Sequence, residues 1–509
     1  MTPTYMLGID LGTSSVKVIV VDLDGQIHGS GAASYPTSYP EPLHAEQEPT
    51  QWWTATVTAT WAALSDAGTT DITAIGLTGQ MHGTVLLDAD GAPIVPAIIW
   101  SDGRAAAEVA AMTAEIGADR VISLAGSPLA PGFQAATLRW LRDNQPNILA
   151  LTHKILTPKA FLAWSLTGEN VTDPSDASGT LLFDVQNRAW SSALTHASGA
   201  MRAMLPAILP SDAICGGLTT HAAMALGLRP GIPVATGGAD APCAALGSGV
   251  VDADSLLLTF STGAQALIPR GNVVVDSGGR LHTFCSTLRP VTGSGWYTMG
   301  ATLAAGMALT WLQDQALGLT AANALDDMLH SAHDVPAGSR GLIFLPYLAG
   351  ERTPHLNPLA SGVYLGLTNR HGSGEIVRAT LEGVAFAAYD AFLALESLGV
   401  APERIIAAGG GARMPLWRHT VADLFRLPVF PLLADEQTAL GAAILAGSAM
   451  DLLDPMETSR RWAIQGAPAT PDRAVGERLH ELFAIYQRTY QRLKDDMAEL
   501  RRIAGKTSR

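Results

Sequence analysis

The sequence predicts a two-domain α/β protein whose halves repeat one layout and clamp a ligand between them. Three observations carry this prediction. The chain has 509 residues, too many for one ordinary core, so two or three domains are expected. Near its start, two β-rich runs, Tyr5 to Asp10 and Ser15 to Asp22, flank a tight polar turn of Gly12, Thr13 and Ser14. Midway along the chain, Ser255 to Phe260 and Ala264 to Ile268 flank a second such turn, Ser261-Thr262-Gly263. One turn of this kind is weak evidence, but two, each opening a half, point to a duplicated architecture. The expected division is residues 1–247 and 248–509.

The first turn is suited to presenting several backbone N–H groups to one anion. Asp10 beside it supplies a carboxylate for the Mg²⁺ that accompanies a nucleotide's phosphates. A plain hairpin with a Gly-Thr-Ser turn is the competing reading. Asp22-Leu-Asp-Gly25 is a turn signal before a third strand from Gln26 to Ala33, which makes a meander. Tyr35 to Pro49 is rich in proline and reads as an ordered loop. From Pro49 a helix is predicted, with Trp53, Val57, Trp61 and Leu64 on one face, which is read as buried and not as a ligand site.

Ile72 to Thr78 is strand-like and ends in Gly79-Gln80-Met81-His82-Gly83. That is where open α/β sheets place ligands. His82 is read either as merely solvated in a loop, the reading preferred before context, or as donating to a hydroxyl. Trp100, Asp102 and Arg104 either frame a polyol or include a structural Asp–Arg pair. Ala105 to Leu209 reads as mainly helical, with loops at Ser127 to Gly132 and Thr172 to Gly179. Pro230 to Thr236 reads as a buried strand, ending in Gly237-Gly-Ala-Asp240 ahead of an Ala-rich helix. Phosphoryl transfer to a hydroxyl needs a carboxylate to accept the hydroxyl's proton. Asp240 has the chemistry for that base and equally for a helix N-cap.

In the second half, Tyr297 to Thr302 leads to a helix through Trp311, and Gly341 to Ala349 is strand-like. A long helix is expected from Glu375 to Leu398, where Ala379, Gly383 and Ala387 form a flat stripe for close packing. Arg404 to Ala408 is a strand entering Gly409-Gly410-Gly411, whose missing side chains leave room for a flat ring or a sugar. Neither glycine-bearing turn spells the dinucleotide pattern Gly-x-Gly-x-x-Gly. Leu479, Leu482, Tyr486, Tyr490, Leu493, Met497 and Leu500 mark an amphipathic helix, read as packing within a domain and not as a coiled coil.

The net charge of −14 argues against nucleic acid or an anionic membrane as partner. It does not exclude a phosphorylated ligand, because a local nest of N–H groups outweighs a distant field. Cys215, Cys243 and Cys285 form neither a metal-ligand pair nor a disulfide framework, which fits a reducing compartment. With no leader-like start and no apolar run of membrane-spanning length, a cytoplasmic protein is expected.

Together, Asp10-Leu-Gly-Thr-Ser-Ser-Val-Lys17, Gly79-Gln-Met-His-Gly83, Gly237-Gly-Ala-Asp240, Leu348-Ala-Gly-Glu-Arg-Thr-Pro-His355 and Gly409-Gly-Gly-Ala-Arg413 stand in the order seen in the FGGY family of carbohydrate kinases. The run from Gly362-Val-Tyr-Leu-Gly-Leu to Glu375-Ile-Val-Arg-Ala-Thr-Leu-Glu382 resembles that family's C-terminal signature. The likeness is strongest to members acting on xylulose, through Gln80-Met-His82 and Trp100-Ser-Asp-Gly-Arg104.

This resemblance implies an actin/hexokinase-like (ribonuclease H-like) ATPase fold with a cleft that closes on its ligands. It implies ATP and Mg²⁺ as cofactors and ATP-dependent phosphorylation of a ketopentose, D-xylulose first. Ribulose, glycerol or a rarer polyol are the alternatives within the family, and an actin-like ATPase or sugar sensor is the alternative outside it. Asp10 would hold the metal and Asp240 would be the base. Gly12, Thr13, Ser14, Lys17, Thr262 and Gly263 would meet phosphates, and Gly300, Gly410 and Gly411 would lie along the nucleotide. Gln80, Met81, His82 and Trp100 would contact the sugar. A homodimer is left open. The chain departs from the family pattern at Ala241 and Pro242, where a side-chain amide is usual after the base. It also departs at Ser261, in the second phosphate turn, and at Thr137, where a lysine is usual.

Overall fold

The run Tyr5-Met-Leu-Gly-Ile-Asp-Leu11 is apolar nearly throughout, the composition of a strand covered on both faces. In the computed structural model, which describes residues 4–321 and 323–507, this run lies inside a mixed sheet. Its strands are β1 (Tyr5–Leu11), β2 (Ser15–Asp22), β3 (Ile27–Ser34), β4 (Ile72–Gly79), β5 (Ile214–Gly217), β6 (Pro233–Ala235) and β7 (Gly238–Ala239). They run in the order β5-β6-β4-β1-β2-β3, with β7 also on β4. The predicted meander is present: β1 is antiparallel to β2, and β2 to β3. β4 lies parallel to β1 on the other side.

The chain divides into two compact units. Unit 1 comprises Met1–Asp252, Pro269–Thr298 and Glu436–Ile464; unit 2 comprises Ala253–Ile268, Met299–Asp435 and Gln465–Arg509. Unit 1 thus draws in two segments from the second half of the sequence.

Helix α1 (Pro49–Ala67) covers the meander, but on a different face from the one predicted. Trp52, Ala55, Thr56, Ala59, Thr60, Ala63 and Leu64 are buried, whereas Trp61 is 51% exposed. The cause lies in β3. A Cβ on Gly29 would sit 2.3 Å from the carbonyl oxygen of Ala63, and one on Gly31 would sit 2.1 Å from that of Ala59. Strand and helix backbones touch there, so alanines and threonines face the sheet and the bulky Trp53 and Val57 pack at its margin.

On the opposite side, α2 (Asp240–Gly247) crosses the helix Gln437–Ala449 at two glycines. A Cβ on Gly247 would lie 1.8 Å from the Gln437 oxygen, and one on Gly441 would lie 2.0 Å from the Cys243 oxygen. The helix Gln437–Ala449 in turn rests on Gly8 and Gly76, neighbours on β1 and β4. Glycine-to-backbone contacts therefore fix where α2 begins relative to the end of β4.

A further sheet of six strands includes β8 (Ser255–Phe260), β9 (Ala264–Arg270), β10 (Trp296–Thr302), β11 (Arg404–Ala408) and β12 (Val429–Pro431), ordered β10-β9-β8-β11-β12. β8 is antiparallel to β9 and parallel to β11, as β1 is to β2 and β4. The expected duplication is present as strand topology. The long helix is Ser373–Glu396, and its small-residue stripe seats Gly383 against the backbone of Phe344. The C-terminal helix Arg473–Thr507 packs within unit 2: the Tyr486 and Tyr347 hydroxyls lie 2.6 Å apart, and Tyr490 stacks on His355 at 3.7 Å.

Candidate active site

Asp10 stands opposite Lys17 in the β1–β2 register. Its Oδ1 is shut away from solvent and has no hydrogen-bond partner. Loss of surrounding water pushes the carboxyl up to about 7; Lys17 works against this and Glu436 adds to it. The Lys17 Nζ lies 3.4 Å from Glu436. An orphaned carboxylate oxygen fits a cation better than an isolated proton. Mg²⁺ is commonly held by one or two carboxylates, with water and phosphate completing its shell. Among the described residues no group of three or more His, Cys, Asp or Glu offers a complete protein cage.

The turn after Asp10 is held mostly by side chains from elsewhere in unit 1. The Tyr35 hydroxyl donates to Gly12 O. Gln47 Nε2 donates to Thr13 O at 2.7 Å, and Trp100 Nε1 to Thr13 Oγ1 at 3.0 Å. Asp102 and Arg104 belong elsewhere. Arg104 binds both Asp102 oxygens and reaches Glu46 at 2.7 Å, while Asp102 Oδ2 accepts the Ala45 N–H at 2.7 Å. This is a structural pair that anchors the proline-rich loop.

β7 brings in the second carboxylate. Gly238 and Ala239 pair with Thr78 and Gly79, so the chain enters α2 level with Gln80. Ala239 is the N-cap and Asp240 the first helical residue, which gives the capping position to its neighbour. Asp240 Oδ1 accepts the Ala241 N–H at 2.8 Å. Burial, reinforced by the charge of Asp10, raises Asp240 to about 7, a value suited to a base at neutral pH.

The three polar-motif residues have distinct settings. Gln80 is buried and its Nε2 donates to Gln47 Oε1 at 2.9 Å. Met81 is buried, with its sulfur 3.8 Å from the Tyr297 hydroxyl. His82 adopts a left-handed backbone (φ 74°), and its Nδ1 lies 2.6 Å from the Gly179 carbonyl. A carbonyl only accepts, so Nδ1 carries the proton and Nε2 of the neutral ring is an acceptor. Donation from His82 to a hydroxyl then holds only for the charged ring. The imidazole stacks on Phe133 at 3.6 Å, and His282 and Phe284 continue this aromatic wall.

In unit 2, a cleft of about 640 Å³ is lined by Ser261, Thr262, Met307, Trp311, Gly410 and Gly411, among others. Backbone groups hold its turn: Ala305 N–H donates to Thr262 O at 2.9 Å and Gly306 N–H to Ser261 O at 2.8 Å. A Cβ on Gly263 would sit 2.3 Å from Thr302 O. Of the three consecutive glycines only Gly410 faces open space. Gly409 abuts the Phe260 backbone and Gly411 the Trp417 ring, so protein packing already demands two of them. Gly300 lies inside β10, where every residue is buried.

The N-terminal domain of the FGGY family of carbohydrate kinases matches residues 5–247, and the C-terminal domain of that family matches residues 274–450. The chain belongs to the FGGY family. The xylulose kinase of Escherichia coli is 37% identical to this FGGY kinase over 441 residues, covering 86% of the chain and 89% of that protein. The xylulose kinase of Klebsiella pneumoniae is 34% identical over 97% of the chain and all of its own length. Among solved structures, the xylulose kinase of Rhodospirillum rubrum superposes with a TM-score of 0.90 at 29% identity, covering 97% of this chain and 99% of that one.

Sequence reasoning missed the polar network behind the site of this FGGY kinase. The segment from Thr172 to Gly179, expected as a loop, contains the buried helix Pro174–Gly179, capped by Asp173. Lys159 Nζ donates to Asp173 at 2.7 Å and to Thr236 O at 3.1 Å. Ser175 Oγ donates to Asp173 and accepts the Ala239 N–H at 2.9 Å. Asp176 lies 4.0 Å from Lys159, and burial lifts it to about 6. The network thus supports both the strand before Asp240 and the helix whose last carbonyl holds His82. Its only sequence signal was the density of hydroxyl and Asp residues at 172–178, which suits a turn equally well.

Proposed function

We propose that this kinase transfers the γ-phosphoryl group of ATP to D-xylulose, with the 5-hydroxyl as acceptor. The observation that carries the reading is Asp240: a carboxylate held near neutrality, level with Gln80 and electrostatically coupled to Asp10. The substrate named for its relatives, xylulose, supports the choice of sugar. Asp240 takes the proton of the acceptor hydroxyl as the new O–P bond forms and ADP leaves. Asp10 would hold Mg²⁺, which neutralises phosphate charge when bound. Gln80, Met81, His82 and Trp100 contact the sugar. Gly12, Thr13, Ser14 and Lys17, with Thr262 and Gly263, meet phosphates, and Gly300, Gly410 and Gly411 lie along the nucleotide.

Among the described residues no helix is long and apolar enough to cross a membrane, and the three cysteines are buried thiols. Both fit our reading of a cytoplasmic enzyme. A coupled ADP assay over xylulose, ribulose and glycerol, with mass-spectrometric identification of the product, tests the assignment. Xylulose should give the highest kcat/KM and a sugar monophosphate. A higher value with another polyol overturns the substrate, and release of inorganic phosphate without sugar phosphate overturns the reaction.

A further inference from the structure

Gln47 lies in the stretch just before α1 and carries no charge, yet its side chain joins the two ends of the site in unit 1. It is 2% exposed and its amide makes four hydrogen bonds. Nε2 donates to Thr13 O at 2.7 Å and to Thr37 Oγ1 at 2.8 Å. Oε1 accepts from Gln80 Nε2 at 2.9 Å and from Trp52 Nε1 at 3.0 Å. The indole N–H only donates and the Thr13 carbonyl only accepts, so Trp52 and Thr13 together decide which end of the Gln47 amide is oxygen. That oxygen in turn requires Gln80 to point its NH₂ group toward Gln47. The acceptor end of Gln80, its Oε1, is left buried and without a hydrogen-bond partner. A buried acceptor left unmatched is costly, and a polyol hydroxyl supplies the missing donor.

We infer that Gln47 is a positioning residue that serves sugar and phosphate together. It sets the polarity of Gln80 so that Gln80 accepts a hydrogen bond from a sugar hydroxyl, and it pins the Thr13 carbonyl of the phosphate turn. The inference rests on the sugar-kinase reading above and adds a specificity rule: the substrate presents a hydroxyl proton, not a lone pair alone, to Gln80. A ligand bearing only an acceptor at that point meets the Gln80 oxygen and is repelled.

Steady-state kinetics with D-xylulose and ATP test this, using variants whose folding is checked by thermal midpoint. Gln47→Met removes all four bonds at similar volume, and KM should rise about tenfold for both substrates. Gln47→Glu keeps the two acceptor bonds and loses the two donor bonds. Its xylulose KM should stay within about twofold of wild type while its ATP KM rises by about tenfold.

An unchanged xylulose KM in Gln47→Met overturns the inference, as does an identical response of the Met and Glu variants. If Gln47→Met does not fold, equal rises in the xylulose and ATP KM of Gln47→Glu have the same force. Wild-type enzyme that phosphorylates a different polyol sinks the substrate assignment instead, and the same KM comparison is then run with that polyol.

Discussion

The two hairpins that open the two units share a scaffold and differ in their chemistry. β1 and β8 each pair antiparallel with the next strand and parallel with a later one. Counting back from the turn, the second cross-strand pair is Asp10↔Lys17 in unit 1 and Thr259↔Gln265 in unit 2. One copy therefore carries a carboxylate facing a cation, and the other two neutral side chains. The turns are also held differently. In the first, side chains of Tyr35, Gln47 and Trp100 add to backbone bonds from Gly12 N–H to Ser15 O and Tyr35 N–H to Ser14 O, while backbone N–H groups from Ala305 to Met307 hold the second. Backbone bonds give a turn its shape whatever the side chains, so the second turn depends less on side chains from elsewhere. The first stands beside Asp10, which raises the Asp240 carboxyl and with it forms the proposed reacting pair. The shared topology with unlike side chains places the proposed chemistry on one copy of the hairpin.

The largest effect expected from this asymmetry is at the base. Asp240→Asn should slow turnover by about 10²–10⁴ while leaving the fold intact, measured by initial rates and thermal midpoint. Near-wild-type turnover would remove the chemical role from unit 1. Next comes the metal position. Asp10→Asn should lower kcat by about a hundredfold or more, whereas Thr259→Ala, at the matching place in unit 2, should stay within about twofold. Equal losses at the two positions would break the comparison.

A third test uses pH. Asp240 is raised to about 7, so kcat/KM for the sugar should fall about tenfold per pH unit below that value and level off above it. Stability should run the other way. In the ligand-free protein Asp10 also titrates near 7, far above its value in an unfolded chain. Between about pH 4 and 7 the folded state keeps a proton that the unfolded state has released, so stability declines as pH rises through that window. Asp10→Asn should therefore raise the thermal midpoint of the ligand-free enzyme at pH 8, and this gain should vanish by about pH 4. A variant less stable than wild type at pH 8 would contradict the burial that distinguishes the first hairpin.

Much of the scaffold was legible in the sequence because it is written in local pattern. The strand Arg404–Ala408 and the two hairpins follow from apolar runs punctuated by Gly, Thr and Ser. What failed depended on contacts between distant segments. The buried face of α1 was misread because Gly29 and Gly31 let the helix approach the sheet on its alanines. The aromatic wall around His82 joins Phe133 to His282 and Phe284, which the segment Pro269–Thr298 contributes to unit 1. Gln47 was invisible for the same reason: a neutral amide has no motif, and its role emerges only once Trp52, Thr13 and Gln80 surround it.

The smallest predicted effect separates a phosphate ligand from a surface ion pair. Lys17 is 41% exposed and 3.4 Å from Glu436, and exposed pairs of this kind contribute about 0–1 kcal/mol. Lys17→Ala should consequently cost little stability. If its ammonium also meets phosphate, the ATP KM should rise several-fold, and this rise should grow smaller in high salt as screening replaces the lost charge. Gln265 occupies the matching position on β9 and is exposed. Gln265→Ala should change neither stability nor KM, because its side chain is exposed and carries no charge to lose. A salt-sensitive rise in KM at Gln265, or none at Lys17, would show that the two hairpins divide their work differently from the way their carboxylate and turn contacts imply.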